Sequence, residues 1–300
     1  MTCLAIPMHR PMFPGHTRNG WGCGHGHPSC WTARWAVTVR VFGSLLDKCL
    51  MAGLFSPHGL FSVCRLAAMP SVLAFDLDGT LAPLVPRPAD ARVPEDTAAR
   101  LKALSRLWPL GVITGRAIDD ARERLGFTPR YLFGNHGAER ADAAASDVLR
   151  QRLDPCREHL RRYRPAMQTR WVVLEDKGLS LALHYALAPN LAFTRAWLDE
   201  LIAPVSDHLH ATHGHQLMNI TPAHAPDKGD ALLEILHDCG AAKALVVGDD
   251  VNDESAFDKA PAGSVTVRIG PSGVATQARF RLPSQAHVDR LLTMLLALRR

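Results

Sequence analysis

From Ser71 onward, short apolar runs alternate with amphipathic stretches, the rhythm of parallel strands joined by helices. The pattern predicts a strand at Ser71–Phe75, a helix from about Glu95 to Leu107, a strand at Leu110–Ile113, a helix at Ala117–Leu125 and a strand at Arg130–Phe133. A second group follows later in the chain: a helix at Asp230–Cys239, strands at Ala244–Val247 and Val265–Ile269, and a closing helix at His287–Leu298. The two groups read as halves of one doubly wound, mostly parallel α/β sheet. Between them the rhythm changes to helix, strand, strand, twice over. A helix is expected around Asp147–Arg164 with strands at Arg170–Leu174 and Leu179–Tyr185; a helix at Leu191–Ile202 is followed by strands at His208–Thr212 and Gln216–Ile220. That order implies antiparallel hairpins and hence an inserted α+β cap over residues 143–222, set between core segments 71–142 and 223–300. A cap hinged over a sheet edge is a common way to close a site against water.

The first 70 residues show no sustained period and are expected to be poorly ordered. Met69 stands immediately before the first strand, so the upstream region also reads as an over-extended reading frame, with the true start at Met69. These residues hold six Lys+Arg against one acid, Asp47, leaving 28 bases and 28 acids in the remainder, so the excess of five positive charges is local. A neutral body argues against a nucleic-acid partner. Cysteines divide at the same boundary, with only Cys156 and Cys239 beyond it, too few and too far apart for a disulfide framework. A reducing, cytoplasmic setting is expected. The apolar stretch Met51 to Phe75 is interrupted by His58, Arg65 and Pro70, so no membrane span is expected. Cys23-Gly-His25-Gly-His27-Pro-Ser-Cys30 carries four potential zinc ligands, but the spacing matches no familiar finger.

Chemistry concentrates at strand ends. Phe75-Asp76-Leu77-Asp78-Gly79-Thr80 follows the first strand, placing two carboxylates at the carboxyl edge of the sheet, where open α/β folds bind ligands. Gly248-Asp249-Asp250-Val-Asn252-Asp253-Glu254 repeats the arrangement. Helix capping by Asn252 or Asp253 accounts for one of these acids. It does not account for the crowd, because like charges repel unless a cation offsets them, and magnesium suits an all-oxygen site that keeps waters and a substrate phosphate. Thr114-Gly115-Arg116 ends the second strand and Asp227-Lys228-Gly229 opens a helix; a hydroxyl with nearby N–H groups and an ammonium are suited to phosphoryl oxygens.

Together, and in this order, these four elements resemble the haloacid dehalogenase (HAD) superfamily of phosphotransferases over residues 71–300. The resemblance implies Asp76 as nucleophile, Asp78 as acid and base, Thr114 and Lys228 as holders of the phosphoryl group, and a metal site of Asp76, the Asp78 carbonyl and Asp249, with Asp250 and Asp253 in or near its surroundings. Three further strings narrow the family: Gly134-Asn135-His136-Gly137-Ala138-Glu139, Glu175-Asp176-Lys177 running on to His184-Tyr185, and the extended acidic motif ending at Phe257. With Thr114-Gly-Arg116 these look like the trehalose-6-phosphate phosphatases. The resemblance implies Arg116, Asn135, His136, Glu175, Lys177, His184 and Asn219 as substrate-binding residues, Mg2+ as cofactor, a small sugar phosphate as substrate, and a trehalose-6-phosphate synthase in the same pathway as a partner. The bland alternative for the cap is an exposed Glu175–Lys177 pair and a packed His184.

Two positions depart from the family pattern. Ala186 stands where the first cap hairpin usually ends in arginine, and Asn219, in Asn219-Ile-Thr-Pro222, stands where a glutamate is usual. Asparagine keeps a donor and an acceptor but gives up the charge-assisted bond. Another sugar or glycosyl phosphatase, a phosphomannomutase-like phosphotransferase and a non-catalytic sugar-phosphate-binding module are the competing readings. The last sits poorly with an intact set of Asp76, Asp78, Lys228 and Asp249.

Overall fold

The structure, a computed structural model, describes residues 52–85, 87–214 and 216–299. The Cys23–Cys30 string lies outside the described residues. Eight strands form the main sheet: β1 (Ala52–Gly53), β2 (Ser71–Phe75), β3 (Leu110–Ile113), β4 (Tyr131–Gly134), β5 (Glu139–Arg140), β10 (Lys243–Gly248), β11 (Val265–Ile269) and β12 (Phe280–Leu282). Their order is β1-β12-β11-β10-β2-β3-β4-β5, and every pairing is parallel except that of β4 with β5. Such a sheet must be covered on both faces, which is why its strands read as unbroken apolar runs. On β2, Leu73 and Phe75 point into one core with Leu101, Leu110 and Leu291, while Val72 and Ala74 point into another with Leu232, Ile235 and Val246.

Helices α1 (Pro57–Ala67), α2 (Glu95–Leu104), α3 (Ile118–Leu125) and α10 (Val288–Ala297) supply the first of these cores. Helices α8 (Lys228–Cys239) and α9 (Glu254–Lys259) supply the second. The expectation that residues up to 70 carry no ordered element fails for its last part. Ser56 caps α1 by accepting from the Gly59 N–H at 3.2 Å, Pro57 sits at the helix start, and Leu54, Val63 and Leu66 are buried. Two-residue β1 pairs with β12, a register of Ala52 with Phe280 that no local pattern announces.

The intervening segment forms a second, four-stranded antiparallel sheet of β6 (Val173–Asp176), β7 (Leu181–His184), β8 (Leu209–His213) and β9 (Leu217–Pro222), in the order β6-β7-β9-β8. One face packs its own core: Leu181, Leu183, Met218 and Ile220 meet Leu160, Met167, Leu198 and Leu201. The single helix expected at Asp147–Arg164 is two, α4 (Asp147–Arg152) and α5 (Asp154–Arg162), and a third, α6 (Arg164–Thr169), follows beyond it. Pro155 and Pro165 fall in the first turns of α5 and α6; each lacks the N–H that would continue the preceding helix, so each restarts one. Helix α7 (Leu191–Ile202) keeps its expected bounds. No helix among the described residues is long and apolar enough to cross a membrane.

Candidate active site

Strands β10, β2 and β3 are neighbours, with Val247 level with Phe75 and Phe75 level with Val112. The residues that follow these strands therefore meet at one edge, and they include Asp249, Asp76 and Thr114. Lys228, the first residue of α8, completes the group. Its Nζ donates to Asp76 Oδ1 at 2.6 Å and to Asp253 Oδ1 at 2.5 Å, and all three side chains are buried. Asp227 caps α8 in a reciprocal box with Asp230, which fixes where Lys228 leaves the helix. The second oxygen of Asp253 accepts the backbone N–H groups of Asp249 and Asp250, both at 2.9 Å, so one carboxylate shapes the acidic loop and pairs with the lysine. Gly79, at φ 76°, stands so close to Asp249 that a Cβ would approach its Oδ2 to 2.1 Å; the Asp-Leu-Asp-Gly turn can lie against Asp249 only because this residue is glycine.

Burial pushes the Asp76 carboxyl well above its usual range, and nearby Asp253 and Asp249 add to the shift against the opposing Lys228. Asp249 is pushed up to about 7, first by burial and then by Asp253. Burial works to discharge Lys228, but Asp253 and Asp76 outweigh it and hold the ammonium. One ammonium against Asp76, Asp249 and Asp253 leaves an excess of negative charge, and ligand atoms of the three acids lie within 4.8 Å of one another. A divalent cation fits that donor set and that deficit. Of the acids implied for the metal site, Asp76 and Asp249 lie in the cluster, joined by Asp253.

The Asp78 side chain turns to Arg116. The guanidinium donates from Nε to one Asp78 oxygen at 2.6 Å and from Nη2 to the other at 2.7 Å, and it also donates to Asp120 and to the Pro88 carbonyl. Arg116, expected as a substrate ligand, is engaged by the protein's own carboxylates, chiefly the acid–base candidate. Asn135 differs in the same way. Fully buried, it accepts from Ser180 Oγ at 2.6 Å and donates to Glu139 at 2.7 Å and to the Lys177 carbonyl at 3.2 Å, which uses both amide hydrogens. Its job is to clamp the core loop to the second sheet. Thr114 is buried at the end of β3 with its Oγ1 accepting the Arg116 N–H at 3.2 Å, which leaves its hydroxyl proton to donate.

The face of the antiparallel sheet opposite its own core carries Glu175, Ala182, Asn219 and Thr212 as one row, paired in register across four strands. Glu175 accepts from His184 Nε2 at 2.7 Å; burial raises its carboxyl, but this bond and Lys177 hold it below the usual range. Lys177 donates to the Gly115 carbonyl at 3.0 Å, tying this sheet to the loop that carries Thr114. His136, at φ 61°, packs its ring on Gly115, beside Asn219. Sequence reasoning missed three contributors: Asp253 as the partner of Lys228, Glu139 as acceptor for the Ile118 N–H and Asn135, and Ser180. Glu139 stood within the quoted Gly134–Glu139 string and Ser180 within the string from Glu175 to Tyr185, neither singled out there.

Residues 74–285 match the family model for trehalose-phosphatase. A probable trehalose-phosphate phosphatase of Sinorhizobium fredii is 34% identical over 220 residues, covering 71% of this chain and 82% of that protein. A trehalose-phosphate phosphatase of Mycobacterium tuberculosis is 33% identical over 266 residues, covering 76% of this chain but 63% of that longer protein. Among solved structures, the C-terminal domain of the Candida albicans trehalose-6-phosphate phosphatase superposes with a TM-score of 0.73 at 19% identity, covering 83% of this chain and 98% of that one. That likeness is one of fold.

Proposed function

The chain belongs to the trehalose-phosphatase family, and from that premise we propose that it hydrolyses trehalose 6-phosphate to trehalose and phosphate, using magnesium and an aspartyl-phosphate formed on Asp76. The observation that carries the mechanism is the buried Asp76–Lys228–Asp253 chain, in which the Lys228 ammonium fixes Asp76 Oδ1 at 2.6 Å and opposes the burial that favours the protonated carboxyl. Asp76 attacks phosphorus as the bond to the sugar oxygen breaks, and Asp78 delivers a proton to the departing alkoxide. Asp78 then takes a proton from water as that water attacks phosphorus, the bond to Asp76 breaks, and the carboxylate is restored. Arg116 aims Asp78 and releases whichever of its two oxygens carries the transferred proton. Thr114 and Lys228 hold the phosphoryl oxygens, their donors fixed before substrate arrives. Asp76, Asp249 and neighbouring oxygens would hold a magnesium ion, which when bound would supply charge neutralisation to the phosphoryl group. Glu175, Lys177, His184 and Asn219 face the sugar, and the sheet carrying them, residues 143–222, acts as a lid that shuts out water.

The departures at Ala186 and Asn219 favour one second reading, a related sugar phosphate as the preferred ester. Both readings are tested by offering the full chain a panel of sugar phosphates with magnesium and measuring released phosphate. Trehalose 6-phosphate should be the best substrate, and Asp76→Asn, which keeps size but removes the nucleophile, should abolish turnover of every ester. A better rate on another sugar phosphate would move the substrate; turnover surviving in Asp76→Asn would remove the nucleophile.

A further inference from the structure

Arg116, Asp120 and Arg124 stand four residues apart, the last two on α3, and their side chains form one continuous row that ends at the acid–base candidate. Arg116 meets Asp78 edge on, with Nε donating to one oxygen at 2.6 Å and Nη2 to the other at 2.7 Å. Its remaining terminal nitrogen, Nη1, donates to Asp120 Oδ2 at 2.6 Å. Arg124 then meets Asp120 as Arg116 meets Asp78: Nε donates to Oδ2 at 3.0 Å and Nη2 to Oδ1. The far end of the row is anchored. Arg124 is buried and its Nη1 donates to the Ala89 carbonyl at 3.1 Å, next to the Pro88 carbonyl that accepts from Arg116 Nη2 at 2.9 Å.

The row answers a difficulty in the acid step. Both Asp78 oxygens accept from Arg116, yet the one that carries the transferred proton must let its bond go. An arginine held by Asp78 alone would then be free to swing on its long side chain. With Nη1 on Asp120 and Nη2 on Pro88, the guanidinium keeps its place while one bond to Asp78 is given up. Burial works to raise the Asp120 carboxyl, but Arg116 and Arg124 outweigh it and hold it below the usual range, so its bonds to both guanidiniums are charge-assisted. A brace for α3 alone would need only the Arg124–Asp120 pair. Arg116 lies outside that helix and reaches Asp78, 38 residues away in the chain.

We propose that Asp120, held by Arg124, is a positioning residue for the acid step: it fixes the Arg116 guanidinium and, through it, the aim of Asp78 at the departing ester oxygen. The assignment rests on the phosphatase reading above, with Asp78 as the acid, whichever sugar is cleaved. In that step an Asp76 oxygen bonds to phosphorus, the bond from phosphorus to the ester oxygen breaks, and the Asp78 proton passes to that oxygen. How much the proton matters depends on the leaving group. p-Nitrophenolate departs readily without one, whereas the more basic phenolate gains from it. The test takes the full chain with magnesium, in excess over p-nitrophenyl phosphate or phenyl phosphate, and reads the phenol released in a single turnover. Breakdown of the aspartyl-phosphate then does not enter. In Asp120→Asn, release from phenyl phosphate should slow roughly tenfold or more and release from p-nitrophenyl phosphate less than about threefold, because a misaimed acid costs the ester that needs it. Asp120→Glu, which keeps the carboxylate, should recover part of the ratio, and Arg124→Gln should shift it in the same direction as Asp120→Asn.

An unchanged ratio of the two rates in a folded Asp120→Asn would overturn the assignment, and so would equal losses on both esters, which would make Asp120 a brace for α3 and nothing more. Should Asp120→Asn not fold, Arg124→Gln decides, with an unchanged ratio overturning the proposal. Failure of the underlying reading looks different, and Asp78→Asn exposes it. If that variant leaves the ratio as it is in the unmodified chain, Asp78 is not the acid and the role of Asp120 falls with it. If Asp78→Asn lowers the ratio and Asp120→Asn does not, the acid stands and the positioning residue alone is lost. Neither ester carries a sugar, so a different preferred sugar phosphate leaves the result intact.

Discussion

A carboxyl group buried among carboxylates keeps its proton to a higher pH, and Asp249 does so because of its burial first and Asp253 second. The unfolded chain releases that proton near pH ~4, whereas the folded chain without a cation holds it to about 7. Between those values the native state binds more protons than the unfolded state, so stability falls as pH rises through the window. Asp76, shifted in the same direction, adds to the trend. A bound divalent cation favours the ionised forms and should reverse it. With chelator present, the midpoint of thermal unfolding is therefore expected to drop between about pH 5 and about pH 8, and magnesium should raise it more at the upper end than at the lower. Asp249→Asn should flatten the chelator series and blunt the response to magnesium. A magnesium shift of the same size at both ends, or one that survives in Asp249→Asn, would place the cation elsewhere.

Elements divide by where their information lies. Helix α1 buries Val63 and Leu66 against the sheet, so Leu66→Ala should lower stability by about 2–5 kcal/mol, measured by denaturant unfolding. A change near zero would mean that α1 is an ornament and that a chain starting at Met69 loses nothing. The strands β2, β3 and β11 and the helix α7 were legible to the residue because each carries its whole pattern locally, as an apolar run or an amphipathic period. Strands β1, β5 and β12 were not, since two or three residues hold no period and exist by pairing with a distant neighbour. Pro155 was visible in the sequence, yet the period across it suggested one helix where the missing N–H makes two, and Pro165 opens a third that no expected element covered. The site shows the same division. Motif residues after β2, β3 and β10 were readable as a set because adjacent strand ends must meet. The partners of Arg116, Asn135 and Lys228 come from 38, 45 and 152 residues away, a separation no local pattern reports.

At the scale of the whole molecule, the antiparallel sheet and the main sheet are joined near one loop. Lys177 donates to the Gly115 carbonyl, Ser180 donates to Asn135, and Asn135 donates back to the Lys177 carbonyl. The lysine thus stands in two roles. Its ammonium steadies the loop carrying Thr114, and it lies 3.8 Å from Glu175 on the side proposed to face the sugar. Burial lowers its pKa, so the charge it keeps depends on Glu175 and on whatever acceptors the cleft offers. Lys177→Ala should then act on two substrates unequally. Hydrolysis of p-nitrophenyl phosphate needs only the loop, and loosening the loop should cost part of its rate. Trehalose 6-phosphate also draws on the sugar-facing contact, and a lost bond to a charged donor is worth roughly 1.5–3 kcal/mol, so its kcat/KM should fall about ten- to a hundredfold further. Lys177→Arg, which keeps charge but not the compact ammonium, should restore more of the small ester's rate than of the disaccharide's. Equal losses on both esters in Lys177→Ala would confine the residue to the loop and leave the sugar to Glu175, His184 and Asn219.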